Sequence, residues 1–245
     1  MEIFIDSSKV EEIKNWVSMG IVHGITTNPS IMKRDGKKSI YQAYQEITKV
    51  TGDRPLSLEV ISDNTEEVIK QGVELASWGK NVVVKVPIIA RDGSPMLEAI
   101  NTLSKKGIRI NCTAILNFGQ CVLATMAGAA YLSIFVGRVC DEGNDAEIII
   151  RKTREWLDRG WYKSKILAAS IRGVPDLQLS AWAGSHIITT PPEMLSKFVD
   201  HKYSRETVNI FLKDAQNANI LLKTPEEEKA TSAQQKPAKS KSAIA

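Results

Sequence analysis

Asn81-Val82-Val83-Val84-Lys85-Val86-Pro87-Ile88 is an apolar, β-branched run interrupted by one lysine. Valine and isoleucine on both faces predict a parallel strand buried on both sides, because branched side chains suit a pleated, packed surface. Lys85 is the exception. A desolvated ammonium costs several kcal/mol, about 2 to 7 for even a neutral polar group, unless it is paired or gives up its proton. An amine without its proton is a nucleophile near neutral pH, which is what Schiff-base chemistry on a carbonyl requires. On this stretch alone, a strand-end lysine whose ammonium reaches solvent explains the pattern equally well.

Working outward, apolar strand-like runs alternate with amphipathic segments and short connections. The strands fall at Glu2 to Asp6, Val22 to Thr26, Leu56 to Ile61, the lysine run, Arg109 to Thr113, Tyr131 to Val136, Lys165 to Ser170 and Ser185 to Thr189. Between them lie helical stretches stopped by Gly20, Gly52, Gly79 and Gly107, as glycine commonly ends a helix. A final pair, Pro192 to Val199 and Ser204 to Asn217, is also helical. Eight such units predict an α/β fold, a single (β/α)8 TIM barrel with a C-terminal helix; an open doubly wound sheet is the alternative. No Gly-x-Gly-x-x-Gly follows a strand, which weakens a dinucleotide-binding version of that alternative.

Residues 1–220 are expected to form the barrel domain and 221–245 a disordered tail. From Thr224 onward the chain is mostly Lys, Ala, Ser, Gln and Glu with two prolines, and Ile244 is the one large apolar residue, too little to offset the entropy of ordering.

The 245 residues carry 43% apolar and 24% charged side chains and a net charge of +4, ordinary for a soluble globular protein. Basic residues are dispersed and aromatics are not interleaved with them, so no nucleic-acid partner is expected. No apolar run reaches membrane-spanning length and the start Met1-Glu2-Ile3-Phe4 lacks a basic leader, so no membrane partner and a cytoplasmic location are expected. Cys112, Cys121 and Cys140 have no metal-ligand spacing and read as buried free thiols; no metal and no cofactor are expected. His23, His186 and His201 have no partner spacing and carry no functional expectation; Trp16, Trp78, Trp156, Trp161 and Trp182 fall in or beside helices and read as packing residues.

In a barrel the C-terminal strand ends converge on one site. Here they carry Asp6, Thr26 with Asn28, Glu59, Lys85, Asn111 with Thr113, Ser133 with Phe135 and Arg138, and Ser170 with Arg172. Each type would have a use if the substrate were a phosphorylated ketose. Lys85 would form an iminium that serves as electron sink, and Asp6 and Glu59 can fill the proton-transfer roles. Asn28, Asn111, Thr113 and Ser133 can hold sugar hydroxyls without adding charge, and Arg138 and Arg172 suit a phosphate because guanidinium offers forked donors.

The segments Ile25-Thr26-Thr27-Asn28-Pro29-Ser30, Val84-Lys85-Val86-Pro87, Asn111-Cys112-Thr113-Ala114-Ile115-Leu116, Gly137-Arg138 and Leu167-Ala168-Ala169-Ser170-Ile171-Arg172 resemble the transaldolase family in its short bacterial form. The likeness runs from about residue 1 to 219. It implies a class I enzyme of carbohydrate metabolism, in the pentose phosphate pathway, that moves a dihydroxyacetone unit from a ketose phosphate to an aldose phosphate. Residue by residue, it implies Lys85 as the Schiff-base lysine and Asp6 as the acid/base for carbon-carbon cleavage. Glu59 and Thr113 would hold the water used in proton transfers. Asn28, Asn111 and Ser133 would bind dihydroxyacetone, and Arg138, Ser170 and Arg172 the phosphate. A homo-oligomer is also implied.

The related fructose-6-phosphate aldolases release the three-carbon unit, and resemble this chain except for glutamine and tyrosine where it has Glu59 and Phe135. A phenyl ring cannot protonate an enamine, so the enamine would wait for an acceptor. A catalytically silent sugar-phosphate-binding barrel is the reading from another class. Arg91-Asp92-Gly93-Ser94-Pro95-Met96 is longer than the matching loop of the shortest members and lies beside the catalytic strand, where loops set substrate choice. Similar loops occur in transaldolase-like proteins of specialised sugar pathways, which leaves the acceptor open.

Overall fold

The lysine run becomes a strand, Val82–Pro87, the fourth of eight in a closed barrel whose order follows the sequence. The computed structural model describes residues 1–234. The strands are β1 (Glu2–Asp6), β2 (Gly24–Thr26), β3 (Leu56–Glu59), β4 (Val82–Pro87), β5 (Ile110–Ile115), β6 (Tyr131–Phe135), β7 (Lys165–Ala169) and β8 (Ile187–Thr190). All neighbours are parallel, and β8 closes on β1 through the pairs Glu2 with Ile187 and Phe4 with Thr189. The expected (β/α)8 barrel is the architecture observed.

The helices are α1 (Val10–Ser18), α2 (Pro29–Arg34), α3 (Ile40–Thr51), α4 (Thr65–Ser77), α5 (Leu97–Lys105), α6 (Phe118–Met126), α7 (Val136–Asp141), α8 (Ala146–Arg159), α9 (Val174–Trp182), α10 (Pro192–Val199), α11 (Lys202–Asn217) and α12 (Pro225–Gln234). None among the described residues is long and apolar enough to cross a membrane.

Period-two alternation sorts each strand into an outer and an inner face. Outward side chains such as Ile5, Ile25, Leu58, Val84, Ile134 and Ile188 join Ile13, Ile47, Leu103 and Ile150 of the helices in one buried layer. Each such side chain stabilises by about 1.5 to 3 kcal/mol on full burial. Inward side chains form a second, smaller cluster of Phe4, Val83, Tyr131, Leu167, Ala169 and Ile187. Phe4 fills this floor because its neighbour across β2 is Gly24; a Cβ there would lie 2.5 Å from the Phe4 ring.

Strand β5 breaks the alternation. Ala114 has φ +59°, and the pairing with β6 shifts between Cys112 and Ile115. Strict alternation from Asn111 and Thr113 would turn Ile115 inward. The irregularity instead places it in the outer core, as β-bulges re-aim side chains.

Several expectations change. The short helices α2 and α7 stand where only strand-to-helix connections were read, α2 starting on Pro29 with Asn28 as cap. The chain divides into two compact units, the first Met1–Val199 and the second starting at Asp200. Within the stretch expected to be a disordered tail, Pro225–Gln234 is helical; the rest of that expectation, 235–245, lies outside the described residues. Cys112 and Cys121 are buried, but Cys140 is exposed on the solvent side of α7. Trp161 and Trp182 are 91% and 78% exposed and are not packing residues, because the first follows the end of α8 and the second lies on the outer side of α9.

Candidate active site

Two residues above the floor, the same inner faces turn polar. Asp6 follows Phe4, Glu59 follows Ser57, Lys85 follows Val83, Ser133 follows Tyr131 and Thr189 follows Ile187. They open into a cavity of about 420 Å³ lined by Asp6, Thr26, Asn28, Glu59, Lys85, Ser133, Phe135, Arg138 and Ser170, together with Pro29, Ser30, Ala169 and Thr189.

Lys85 is buried. Its Nζ lies 3.1 Å from Oε2 of Glu59, the residue beside it in the β3–β4 register, and donates to the Thr27 carbonyl at 3.3 Å. The Lys85 nitrogen is therefore paired, and its side chain is only 6% exposed. Asp6 accepts a hydrogen bond from Thr26 Oγ1 at 2.8 Å. Burial pushes the Asp6 carboxyl above its ordinary value, against the opposing pull of Lys85, the Thr26 hydroxyl and Arg34; nearby Glu59 adds to the rise. A carboxyl with raised proton affinity beside a buried amine is suited to taking and returning a proton.

Asn111 and Thr113 do not line the cavity but support it. Asn111 sits next to Lys85 in the register. It donates from Nδ2 to Ser57 Oγ at 3.1 Å and accepts at Oδ1 from Ser133 Oγ at 2.7 Å. Its amide is thus fixed, and Ser133, its one proton committed, can only accept from a ligand. Thr113 Oγ1 is buried with no protein partner among the described residues, a position suited to a bound water. Asn28 Oδ1 caps α2 by accepting from Ile31 N at 2.8 Å, which leaves its NH2 group for a ligand.

The phosphate side is built on two adjoining turns. Gly137 N donates to the Ser170 carbonyl at 3.1 Å. A Cβ on Gly137 would meet that carbonyl at 2.5 Å, so only glycine permits the approach. It brings Arg138, whose guanidinium carbon lies 5.9 Å from the centre of the Phe135 ring, to the same rim as Ser170. Ser170 has φ +59°, an uncommon conformation for a residue with a side chain, costing about 1 to 3 kcal/mol. Arg172 is placed differently: its guanidinium is paired with Asp141 at the end of α7, outside the cavity lining.

The loop after β4 is a small hairpin. Ile89 pairs with Pro95, and Arg91 grips Asp63 through Nε at 2.6 Å and a second nitrogen at 3.3 Å, tying this loop to the one after β3. Two residues of the site escaped sequence reasoning. Ser57 and Thr189 act through other side chains, and the one available signal was polar residues at inward positions of otherwise apolar strands.

A parallel (β/α)8 barrel with ionisable groups gathered at the C-terminal rim defines a TIM-barrel enzyme. The chain belongs to the Transaldolase/Fructose-6-phosphate aldolase family, whose profile matches residues 3–243. A protein named "Probable transaldolase" from Pelotomaculum thermopropionicum is 37% identical over 214 residues, covering 87% of this chain and 97% of the relative. "Probable transaldolase 2" of Listeria monocytogenes is 37% identical over 214 residues, covering 87% and 95%. Among solved structures, thiamine phosphate pyrophosphorylase from Pyrococcus furiosus is similar with a TM-score of 0.53 and 14% identity, covering 78% of this chain and 85% of that one. That likeness concerns the fold alone.

Proposed function

We propose that this chain is a transaldolase, transferring a dihydroxyacetone unit from a ketose phosphate such as fructose 6-phosphate or sedoheptulose 7-phosphate to an aldose phosphate. The observation that carries the reading is Lys85, buried and 3.1 Å from Glu59 in the cavity that Asp6 also lines.

Attack on the ketose carbonyl needs the free amine, and Glu59 is the base within reach of the Lys85 proton. The carbinolamine then loses water to give an iminium, its protons moving through a water held between Glu59 and Thr113. Asp6 takes the proton of the C4 hydroxyl, the C3–C4 bond breaks into the iminium, and the aldose phosphate leaves. The remaining enamine attacks the acceptor aldehyde, Asp6 returns its proton to the new hydroxyl, and hydrolysis frees Lys85. Asn28 and Ser133 hold the three-carbon unit, and Asn111 fixes Ser133 from behind. Arg138 and Ser170 hold the phosphate; Arg172 joins them on release from Asp141. Phe135 has no proton to give the enamine, which favours transfer over release.

Borohydride reduction in the presence of fructose 6-phosphate tests the mechanism. A three-carbon adduct mapping to Lys85 is expected, and an unmodified Lys85 peptide would leave only a sugar-phosphate-binding barrel. Product analysis without acceptor separates transfer from aldolase chemistry: free dihydroxyacetone at full rate would reject the transferase. We further infer a homo-oligomer working in the cytoplasm. The support for assembly is α11, which exposes Tyr203, Val208, Ile210, Phe211 and Leu212, an apolar set unusual on a free surface. A monomer by light scattering would contradict it.

A further inference from the structure

Asp6 has one proton to take and two oxygens with which to take it. What decides between them lies on the far side of the barrel closure, on β8. Thr189 is buried and lines the cavity, and its Oγ1 lies 2.5 Å from Oγ1 of Thr26. Thr26 Oγ1 in turn lies 2.8 Å from Oδ1 of Asp6. The direction of this chain follows from counting protons. An ionised carboxylate only accepts, and a threonine hydroxyl has one proton. Thr26 spends its proton on Asp6, so the bond between the threonines is donated by Thr189.

We propose that Thr189 is a positioning residue of this site: by donating to Thr26 it commits the Thr26 proton to Oδ1 of Asp6 and leaves Oδ2 as the oxygen that exchanges a proton with the substrate. Two hydroxyls in series polarise one another, so the bond received by Oδ1 is stronger than one isolated hydroxyl supplies. The charged groups that act on Asp6 are Lys85 on β4, Arg34 on α2 and Glu59 on β3; the hydroxyl chain acts alongside them, favouring the ionised carboxylate against its burial. Removing the Thr189 hydroxyl leaves Thr26 free to rotate and to accept from Asp6 instead, which favours the protonated acid. The catalytic meaning of this rests on the transaldolase reading; the geometry of the chain does not.

The test is direct titration of Asp6 by carbon-13 NMR of its carboxyl, assigned with Asp6→Asn, in the wild type, Thr189→Val and Thr189→Ser. This readout needs no turnover, so it stands apart from the fate of the transaldolase reading. Thr189→Val is expected to raise the Asp6 midpoint by about half a pH unit, part of the worth of one neutral hydrogen bond, and Thr189→Ser to restore it. With fructose 6-phosphate and an acceptor, the acid limb of kcat should move by the same amount while KM for the donor holds. A Thr189→Val titration that superimposes on the wild type overturns the proposal. So does a Thr189→Ser shift equal to that of valine, since packing and not the hydroxyl would then be responsible.

Discussion

The floor and the rim of this barrel are made by the same strands, on the same face, two residues apart. Phe4 and Asp6, Val83 and Lys85, Tyr131 and Ser133, and Ile187 and Thr189 are successive inward positions. The lower member of each pair packs against its counterparts; the upper member is ionisable or hydrogen-bonding. One strand thus serves two ends. Below, apolar contact closes the barrel; above, the closed barrel holds an amine, carboxylates and hydroxyls where water cannot freely rearrange around them. Rim substitutions should therefore damage chemistry and spare the fold, and floor substitutions should do the reverse.

The largest contrast is Lys85→Met. Turnover should fall to background, a loss of at least about 10⁴-fold, with borohydride trapping abolished and circular dichroism unchanged. Loss of the folded signal instead would mean that the Lys85–Glu59 pair belongs to the floor's function and not the rim's.

Asp6→Asn should cost about 10² to 10⁴ in kcat and yet stabilise the protein. The sign follows from linkage. The folded state raises the Asp6 pKa above its ordinary value of 3.8, so between the two values the folded state binds the extra proton. The cost of ionising Asp6 is absent below the ordinary value, grows as pH rises through the raised one, and is constant above it. Asparagine never ionises. Its melting temperature should exceed that of the wild type near pH 8, the gap closing toward pH 4; a lower value at pH 8 would show that burial does not dominate Asp6.

Phe4→Ala is the floor counterpart, expected to cost about 3 to 5 kcal/mol in denaturant unfolding with activity per folded molecule preserved. Gly24→Ala tests the same contact from the other side, since the added Cβ would strike the Phe4 ring at 2.5 Å. If Phe4→Ala weakens catalysis without loosening the fold, the separation between floor and rim fails.

The rim was largely legible in the sequence because polar residues ending apolar β-branched runs stand out, and the runs themselves gave all eight strands. What escaped depended on partners distant in the chain. Ser57 and Thr189 look like incidental polar residues until the register sets them against Asn111 and Thr26. Arg172 reads as free beside Ser170, yet Asp141, 31 residues away, takes its guanidinium. Ile115 belongs by alternation to the cavity, and only the backbone at Ala114 moves it to the outer core. Cys140 lies in a segment whose apolar character suggested burial, and Trp161 and Trp182 lie in or beside helices, whereas orientation on the barrel decides exposure.

Ser57 gives the finest test of where floor becomes rim. It lies level with Val83 on the neighbouring strand, but its hydroxyl accepts from Asn111 and so belongs chemically to the layer above. Ser57→Ala removes the acceptor and leaves the Asn111 amide free to turn, exchanging its carbonyl for its NH2 in front of Ser133. Ser133 would then keep its proton for other partners and lose its purely accepting role toward the sugar. The change should appear as a rise of about 5- to 10-fold in KM for fructose 6-phosphate, the worth of one hydrogen bond, with kcat held within about twofold and stability lowered by no more than about 1 kcal/mol. A fall in stability with unchanged KM would place Ser57 with Phe4 and Val83, and the boundary between scaffold and chemistry on β3 would lie above Ser57, between it and Glu59.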